Sequence, residues 1–199
     1  MPLNLIGLAL GASFAAGLNL YATIATLGLL ERFGVIALPP RLQLLAHPVV
    51  IGVALFLYAI EFFADKIPYV DTAWDTLHTF IRPPAAAILA YAAVAGVPEP
   101  WRVVAALVAG GVALTSHGTK TTARAAVNTS PEPISNWILS VVEDGVAIAL
   151  AWLAAAHPLV TLGIVAALMA LSIWILVKVV RYFRRLFRST AARKRQTVP

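Results

Sequence analysis

The chain has 199 residues, of which 60% are hydrophobic and only 12% are charged. That charged fraction is about half of the usual value for a soluble globular domain, and so little polar surface cannot coat a soluble fold of this size. The composition therefore argues against an ordinary soluble domain. The lack of cysteine also excludes disulfides, thiolate metal sites, iron–sulfur clusters and a cysteine nucleophile.

The formal net charge of +6 comes from one segment of the chain. The last 22 residues hold eight of the 15 basic residues and no acid, which leaves seven basic against nine acidic residues and a net charge of −2 over residues 1–177. Basic residues directly after an apolar segment are typical of a cytoplasmic flank, so we expect a cytoplasmic C-terminus. The tail, residues 182–199, is predicted to be disordered and to contact anionic lipid headgroups rather than nucleic acid.

Six apolar stretches predict membrane-spanning helices. The first carries no charge and is long enough to cross a hydrocarbon core of about 30 Å. The fourth loses its apolar character halfway and continues as a polar helix, and the last is the clearest span of all. The stretches cover residues 3–30, 48–64, 83–96, 101–128, 134–156 and 159–177.

A polar connection, residues 65–82, joins the second and third stretches. Its apolar positions recur every three or four residues, which predicts an interfacial or re-entrant helix. We expect the opposite face of this helix to contact water, with a gate or a cytoplasmic metal site as the alternative. That face carries Asp71, Asp75, His78 and Arg82, at spacings of four, three and four.

These elements predict an all-α polytopic membrane helical bundle whose transmembrane domain covers residues 1–181. Six crossings place both termini in the cytoplasm, and five or seven crossings are the alternatives. Three stretches per half is an odd number, so two homologous halves, residues 1–100 and 101–181, would lie inverted in the membrane. The second stretch of each half carries acid, which is compatible with a 3+3 inverted repeat.

Four of the predicted helices present a polar face, and polar faces in a membrane turn toward each other. On the fourth stretch, polar residues at steps of three, four and four share one side of the helix. A helix this polar cannot face lipid. The residues of the four faces are Asn19; Glu61 and Asp65; His117, Lys120, Arg124 and Asn128; and Asn136, Ser140, Glu143 and Asp144.

Two interpretations of these faces stay open. In the structural one, the carboxylates neutralise Lys120 and Arg124 and stabilise the bundle. In the functional one they form a binding site for a proton or cation, because the acids outnumber the fixed bases. Glu61, Asp65 and Glu143 are then candidate ligands of a metal cation, since Mg²⁺ and Ca²⁺ favour carboxylate oxygen. An anionic substrate at the two cations is a further alternative, and no other cofactor is expected.

No motif in the sequence points to catalysis. The sequence contains no nucleophile elbow, no phosphate-binding glycine loop and no zinc-protease helix. Ser116 and His117 are neighbours, but adjacent residues on a helix point about 100° apart and do not form a dyad. We predict that the protein is not an enzyme, with an intramembrane hydrolase that uses serine and aspartate as the alternative.

Several segments resemble a family of bacterial membrane proteins grouped as domain of unknown function 4126. The resemblance covers about residues 5–180 and implies a compact multi-helix protein of the bacterial cytoplasmic membrane, with no established activity. The segments similar to its hallmark block are residues 117–120, 124–128 and 130–136, and those similar to its other motifs are residues 17–19 and 61–66.

We therefore expect a small integral membrane transporter or channel for a small cation or a proton-coupled solute. Its partners would be membrane lipids, the transported ion or solute, and further copies of the chain in a homo-oligomer. The alternatives are a non-transporting membrane scaffold or assembly protein with structural buried charges, and a protein that handles lipids or lipid-linked phosphate.

Overall fold

The structure, a computed structural model, describes the backbone of residues 2–67, 69–127 and 133–196, and their side chains except at 133, 183 and 185–196. Over these residues the chain forms seven α-helices, one 3₁₀ turn and no strand, which confirms the all-α prediction. The helices are α1 (Leu3–Leu18), α2 (Leu20–Arg32), α3 (Pro48–Ala64), α4 (Val70–Ala93), α5 (Glu99–Val127), α6 (Pro133–Ala156) and α7 (Pro158–Gln196), with the 3₁₀ turn at Gln43–Ala46.

The first apolar stretch forms two helices rather than the single spanning helix that we expected. Asn19 separates them with an extended backbone, at φ −149° and ψ 105°. Its N–H donates to the carbonyl of Ala15, 2.9 Å away, at the end of α1. Its side-chain oxygen accepts the N–H of Ala22 at 2.9 Å and caps the start of α2. One residue therefore ends the first helix and begins the second.

Helices α1 and α2 form a hairpin whose two outer ends lie at the same end of the bundle. Near the start of α1, Asn4 lines a cleft of about 620 Å³ together with Leu38, which follows α2 in the chain. Gly28, in α2, lies so close to the carbonyl of Leu45 that a Cβ atom there would overlap it. We call this end, which also includes Gly96 and Pro158, the hairpin end. The turn between α1 and α2 at Asn19, at the other extremity of the hairpin, is called the hairpin tip.

The remaining helices alternate in direction around the hairpin. The end of α4, the end of α6 and the start of α7 line the same cleft at the hairpin end, so α4 and α6 run toward it and α5 and α7 run away from it. Helix α1 packs against α4, α5, α6 and α7, which places it at the centre of the bundle. Helix α2 packs against α3 and α6.

Residues 70–82 of the polar connection and residues 83–93 of the third apolar stretch form one continuous helix, α4. It passes through Pro83 and Pro84, although each proline removes one backbone hydrogen bond from a helix. Packing along α1 and α5 holds α4 together across this point. The face that we expected to contact water is turned toward those helices, so that expectation was wrong. Its residues, Asp71, Asp75, His78 and Arg82, are all buried.

The boundaries of α5, α6 and α7 agree with the sequence prediction, whereas the predicted inverted repeat is not seen in the described part of the chain. Helix α5 continues through its polar half to Val127, and a turn at His157 separates α6 from α7, as predicted. The 3+3 inverted repeat is not confirmed, because the α1–α2 hairpin has no counterpart among α5, α6 and α7 over the residues that the structure describes.

Two helical segments are long and apolar enough to cross a membrane, Ile134–Ala156 and Pro158–Tyr182. Leu3–Leu18 and Pro48–Ala64 are shorter apolar helices. Only 17% of the most apolar part of Pro158–Tyr182 is buried within the bundle, so most of its apolar surface faces outward. Helix α7 continues through Gln196 and thus includes most of the basic segment that we expected to be unstructured.

Candidate functional site

Charged side chains from α3, α4, α5 and α6 and from the turn after α3 meet inside the bundle. Three of them are the cations Arg82, Lys120 and Arg124, each at most 2% exposed. Five carboxylates lie within 4.0 Å of one of these cations. We call the eight residues the charge cluster. Its acidic members are Glu61, Asp65, Asp71, Asp75 and Glu143.

Lys120 is surrounded by oxygen atoms. Its Nζ lies 3.0 Å from Asp65 Oδ2 and 3.4 Å from Glu61 Oε1. It also lies 3.9 Å from Asp75 Oδ1 and 4.0 Å from Glu143 Oε2. The same ammonium donates a hydrogen bond of 3.1 Å to the carbonyl of Leu18. Lys120 thus places a tethered positive charge among four carboxylates and one neutral oxygen.

This position of Lys120 revises the predicted metal site. Glu61, Asp65 and Glu143 do come together, but they surround the ammonium of Lys120 rather than a free space. Among the described residues no group of three histidine, cysteine or acidic side chains is placed to hold a metal ion. A metal cation would therefore have to displace Lys120 in order to reach these carboxylates.

Arg124 joins the end of α3 to α6. Its Nε and Nη2 donate to Glu143 Oε2 at 2.9 and 2.6 Å, and Nη2 also lies 2.8 Å from Asp65 Oδ2. Its Nη1 donates to the backbone carbonyl of Asp65 at 2.7 Å, which Asn136 also approaches at 3.3 Å. Because every nitrogen of the guanidinium is engaged, Arg124 fixes the orientation of both carboxylates.

Arg82 determines the protonation of His117. Its Nη2 binds Glu61 Oε1 at 2.6 Å, and its Nη1 lies 2.8 Å from His117 Nδ1. Because a guanidinium only donates hydrogen bonds, Nδ1 must accept, and the ring is neutral with its proton on Nε2. That proton faces the hydroxyl of Thr79 at 2.9 Å and the carbonyl of Asp75 at 3.0 Å.

The tip of the hairpin lies directly on the charge cluster. The carbonyls of Gly17 and Leu18 accept hydrogen bonds from Arg82 and Lys120, at 3.0 and 3.1 Å. They belong to the last turn of α1, where carbonyls lack helical partners and the helix dipole favours cations. Asn19 extends the contact by donating from Nδ2 to Asp144 Oδ1 at 2.8 Å.

Lys66 lies beside the cluster, in the turn after α3. Its Nζ donates to the carbonyl of Phe62 at 2.9 Å and lies 3.0 Å from the centre of that ring. It also reaches the hydroxyl of Ser140 on α6, at 3.4 Å. Partial burial lowers the pKa of the Lys66 ammonium, and the charges of Asp144 and Asp65 oppose this shift.

Three buried carboxylate oxygens lack a hydrogen-bond partner among the described groups: Glu61 Oε2, Asp65 Oδ1 and Asp75 Oδ1. Asp75 and Arg124 also line an open cleft of about 400 Å³ between α4 and α5. This cleft lies toward the end of the bundle opposite the hairpin end, and its wall is mostly apolar. Four threonines line it, Thr72, Thr76, Thr79 and Thr121.

The structure brings most of the predicted site residues together. Glu61, Asp65, Glu143, Lys120 and Arg124 belong to the charge cluster. His117 joins it through Arg82, and Asn19 and Asp144 adjoin it at the hairpin tip. Asn128 lies outside the described residues. Three members, Asp71, Asp75 and Arg82, were recognised from their spacing as one helical face, but we expected that face to contact water, apart from the predicted site.

These features define an all-helical protein in which a short helical hairpin lies over a buried cluster of charges. Residues 6–178 match the family described as domain of unknown function (DUF4126), and the chain belongs to this family. The resemblance seen in the sequence motifs is thereby confirmed. No curated protein and no solved structure matches the chain significantly.

Proposed function

We propose that the protein is a small multi-pass membrane transporter that moves a small cation or a proton-coupled solute through the charge cluster. The supporting observation is the excess of buried carboxylates at the hairpin tip. Six buried acids, the five of the cluster and Asp144, accompany three fully buried cations, and Lys66 adds only one more charge nearby. Ionised carboxylates in an apolar interior need compensation, which protons or cations supply.

The distribution of side chains supports a membrane location. Large apolar residues face outward along the same helices whose charged residues face inward, among them Phe80, Ile88 and Leu107, which are 77%, 69% and 72% exposed. An exposed apolar surface of this extent is unfavourable in water. In a bilayer the same arrangement is favourable, because lipid contacts the apolar exterior and the charges stay inside the bundle.

The hairpin lowers the number of membrane crossings that we propose from six to five. Helices α3 to α7 would cross the bilayer, and the hairpin would enter from one face and return to it. This gives five crossings, so the termini lie on opposite sides. Because the basic residues in the second half of α7 favour the cytoplasm, the C-terminus would be cytoplasmic and the hairpin end external. The family resemblance suggests that this membrane is the bacterial cytoplasmic membrane.

The geometry also suggests a path. The cleft between α4 and α5, which four threonines line, would lead from the proposed cytoplasmic side to Asp75 and Arg124. The hairpin tip closes the other side of the cluster. Interrupted helices at mid-depth are common at the substrate sites of transporters, because unpaired backbone groups there bind ions. Lys120 would act as an internal counter-charge that changes partners when a proton or a cation enters.

One observation favours a second function, a non-transporting scaffold or assembly protein. Arg82–Glu61 and Arg124–Glu143 are both 2.6 Å apart and buried, as in a network whose role is to hold helices together. The third alternative, binding of lipid-linked phosphate by Lys120 and Arg124, has less support, because both cations already bind carboxylates.

Ion flux through proteoliposomes tests the proposed function. The purified protein is reconstituted with an internal pH-sensitive dye and exposed to gradients of H⁺, Na⁺, K⁺ and Mg²⁺ in turn. We expect the wild type to change the internal pH or the cation content under at least one gradient. Glu143→Gln should abolish this flux, whereas Glu99→Gln, which changes a carboxylate that is 68% exposed at the hairpin end, should leave it unchanged.

The outcomes separate the candidates. Equal flux in the wild type and Glu143→Gln would reject the charge cluster as the transport site. Folded wild-type protein that moves none of the four ions would favour the scaffold, and so would a Glu143→Gln protein that loses stability.

A further inference from the structure

Asp144 differs from the other buried acids in its partners. Each carboxylate of the charge cluster has a cation within 4.0 Å, and Asp144 has none in the part of the chain that the structure describes. Its side chain is nevertheless only 3% exposed. Its contacts are neutral donors: Asn19 Nδ2 lies 2.8 Å from Oδ1, and the hydroxyl of Tyr58 lies 3.5 Å from Oδ2.

We propose that Asp144 is the residue that binds and releases the proton in this protein, and that Asn19 transmits its protonation state to the hairpin. The use of this proton in transport rests on the proposed function. The binding of the proton rests only on the contacts of Asp144. A buried carboxylate without a cationic partner is the acid that gains most from taking up a proton, because the neutral form needs no counter-charge.

The hydrogen bonds of Asn19 fix the direction of this effect. Its Oδ1 is occupied by the N–H of Ala22, so Nδ2 must be the group that faces Asp144. A donor bound to an ionised carboxylate makes a stronger bond than one bound to a neutral acid. When a proton binds at Oδ2, facing the hydroxyl oxygen of Tyr58, the charge on Asp144 disappears and its hold on the hairpin tip weakens.

Charged neighbours at longer range tune this site without pairing with it. Lys120, on α5, favours the charged form of Asp144, whereas Glu61 and Asp65, from α3 and the turn after it, oppose it. Lys66 acts from the same turn and Glu143 is adjacent on α6. Among the described residues neither Lys120 nor Lys66 lies within 4.0 Å of the Asp144 carboxylate, so neither is a direct cationic partner.

Infrared difference spectroscopy during a pH titration of the purified protein in lipid nanodiscs tests the proposal. A buried carboxyl group gives a C=O stretching band when protonated and a carboxylate band when ionised. We expect one buried carboxyl band to titrate in the wild type, to vanish in Asp144→Asn, and to persist in Glu143→Gln and in Glu99→Gln. Asparagine retains an oxygen that accepts from Asn19, which preserves the contact at the hairpin tip.

A second variant keeps the test valid if Asp144→Asn fails to fold. Tyr58→Phe removes the donor at Oδ2 and should shift the frequency of the band, whereas Tyr91→Phe, near the hairpin end, should not. The proposal is overturned if no buried carboxyl band titrates in the wild type, if the band survives in Asp144→Asn, or if it disappears in Glu143→Gln alone.

Failure of this inference is distinguishable from failure of the proposed function, because proton binding is read without transport. Ion flux in proteoliposomes without a titrating band at Asp144 would reject the proton site and retain the transporter. A titrating band at Asp144 without flux would reject the transporter and retain the proton site.

Discussion

At the scale of single residues, Lys120 lies close to more carboxylates of the charge cluster than either arginine does. Four carboxylates converge on its ammonium, and only two of them, Asp65 and Glu143, also lie within 3.0 Å of Arg124. Without Lys120, Glu61 and Asp75 would keep only Arg82 as a close cation. The repulsion among the acids would then be poorly compensated in an apolar interior.

We therefore predict that Lys120→Ala destabilises the folded protein by about 3–5 kcal/mol, the usual cost of breaking a buried ion pair from one side. Chemical unfolding in detergent, followed by circular dichroism, measures the change. Lys178→Ala is the matched control, because Lys178 is exposed on α7 and its contact with the Trp174 ring, 3.9 Å away, is worth only about 0.5–1 kcal/mol at an exposed site. Equal losses in the two variants would contradict a central role for Lys120.

At the scale of elements, the hairpin depends on close contact between α1 and α5. A Cβ atom at Gly17 would overlap the carbonyl of Ala113 and the hydroxyl of Ser116. The hydroxyl of Ser116 also donates to the carbonyl of Phe14 at 3.0 Å, which ties the last turns of α1 to α5. Glycine is needed here for space, since small residues let two helices approach each other closely.

Gly17→Ala should accordingly destabilise the protein by about 1–3 kcal/mol, the range for overpacking a tight contact. Gly111→Ala is the control. Gly111 lies in the same helix pair, in α5, with no atom near its would-be Cβ, so alanine there should be neutral or stabilise by up to about 1 kcal/mol through helix propensity. A gain of stability in both variants would show that the α1–α5 contact is loose.

The elements also show how far the sequence predicts the site. Helical spacing alone placed Lys120 and Arg124 on one face, and that face does meet the carboxylates of Glu61 on α3 and Glu143 on α6. The sequence did not reveal the break at Asn19, because a single extended residue in an apolar stretch leaves no gap in hydropathy. It misled at Pro83, where we expected a helix start, because tertiary packing along α5 outweighs the two hydrogen bonds that Pro83 and Pro84 remove.

At the scale of the whole molecule, the proposed membrane topology depends on the hairpin, which would determine the side of the membrane on which Leu3 lies. A single spanning helix over residues 3–30 would put the N-terminus and the loop after α2 on opposite faces of the membrane. The hairpin instead puts both at one end of the bundle. The two arrangements therefore differ in a property that labelling can measure.

Cysteine labelling of intact cells tests this topology, and the natural chain contains no cysteine that would interfere. Single cysteines at Leu3 and Val35, which are 59% and 61% exposed, should both react with a membrane-impermeant maleimide from outside. A cysteine at Ile67, which is 53% exposed at the opposite end, should react only after permeabilisation. Protection of position 3 in intact cells, with position 35 still reactive, would support the six-crossing arrangement instead.

The hydrogen bond from Lys120 to the carbonyl of Leu18 has a mechanical consequence. Any positively charged species that took the place of the ammonium would gain that carbonyl as a ligand, because the oxygen belongs to the end of α1 and faces the same point. An empty position, in contrast, would leave Arg82, which binds the carbonyl of Gly17, as the remaining cation at the end of α1. Loss of the cation would then remove one of the bonds that hold the hairpin tip, so that the occupant of this position would affect the end of α1 through a backbone oxygen.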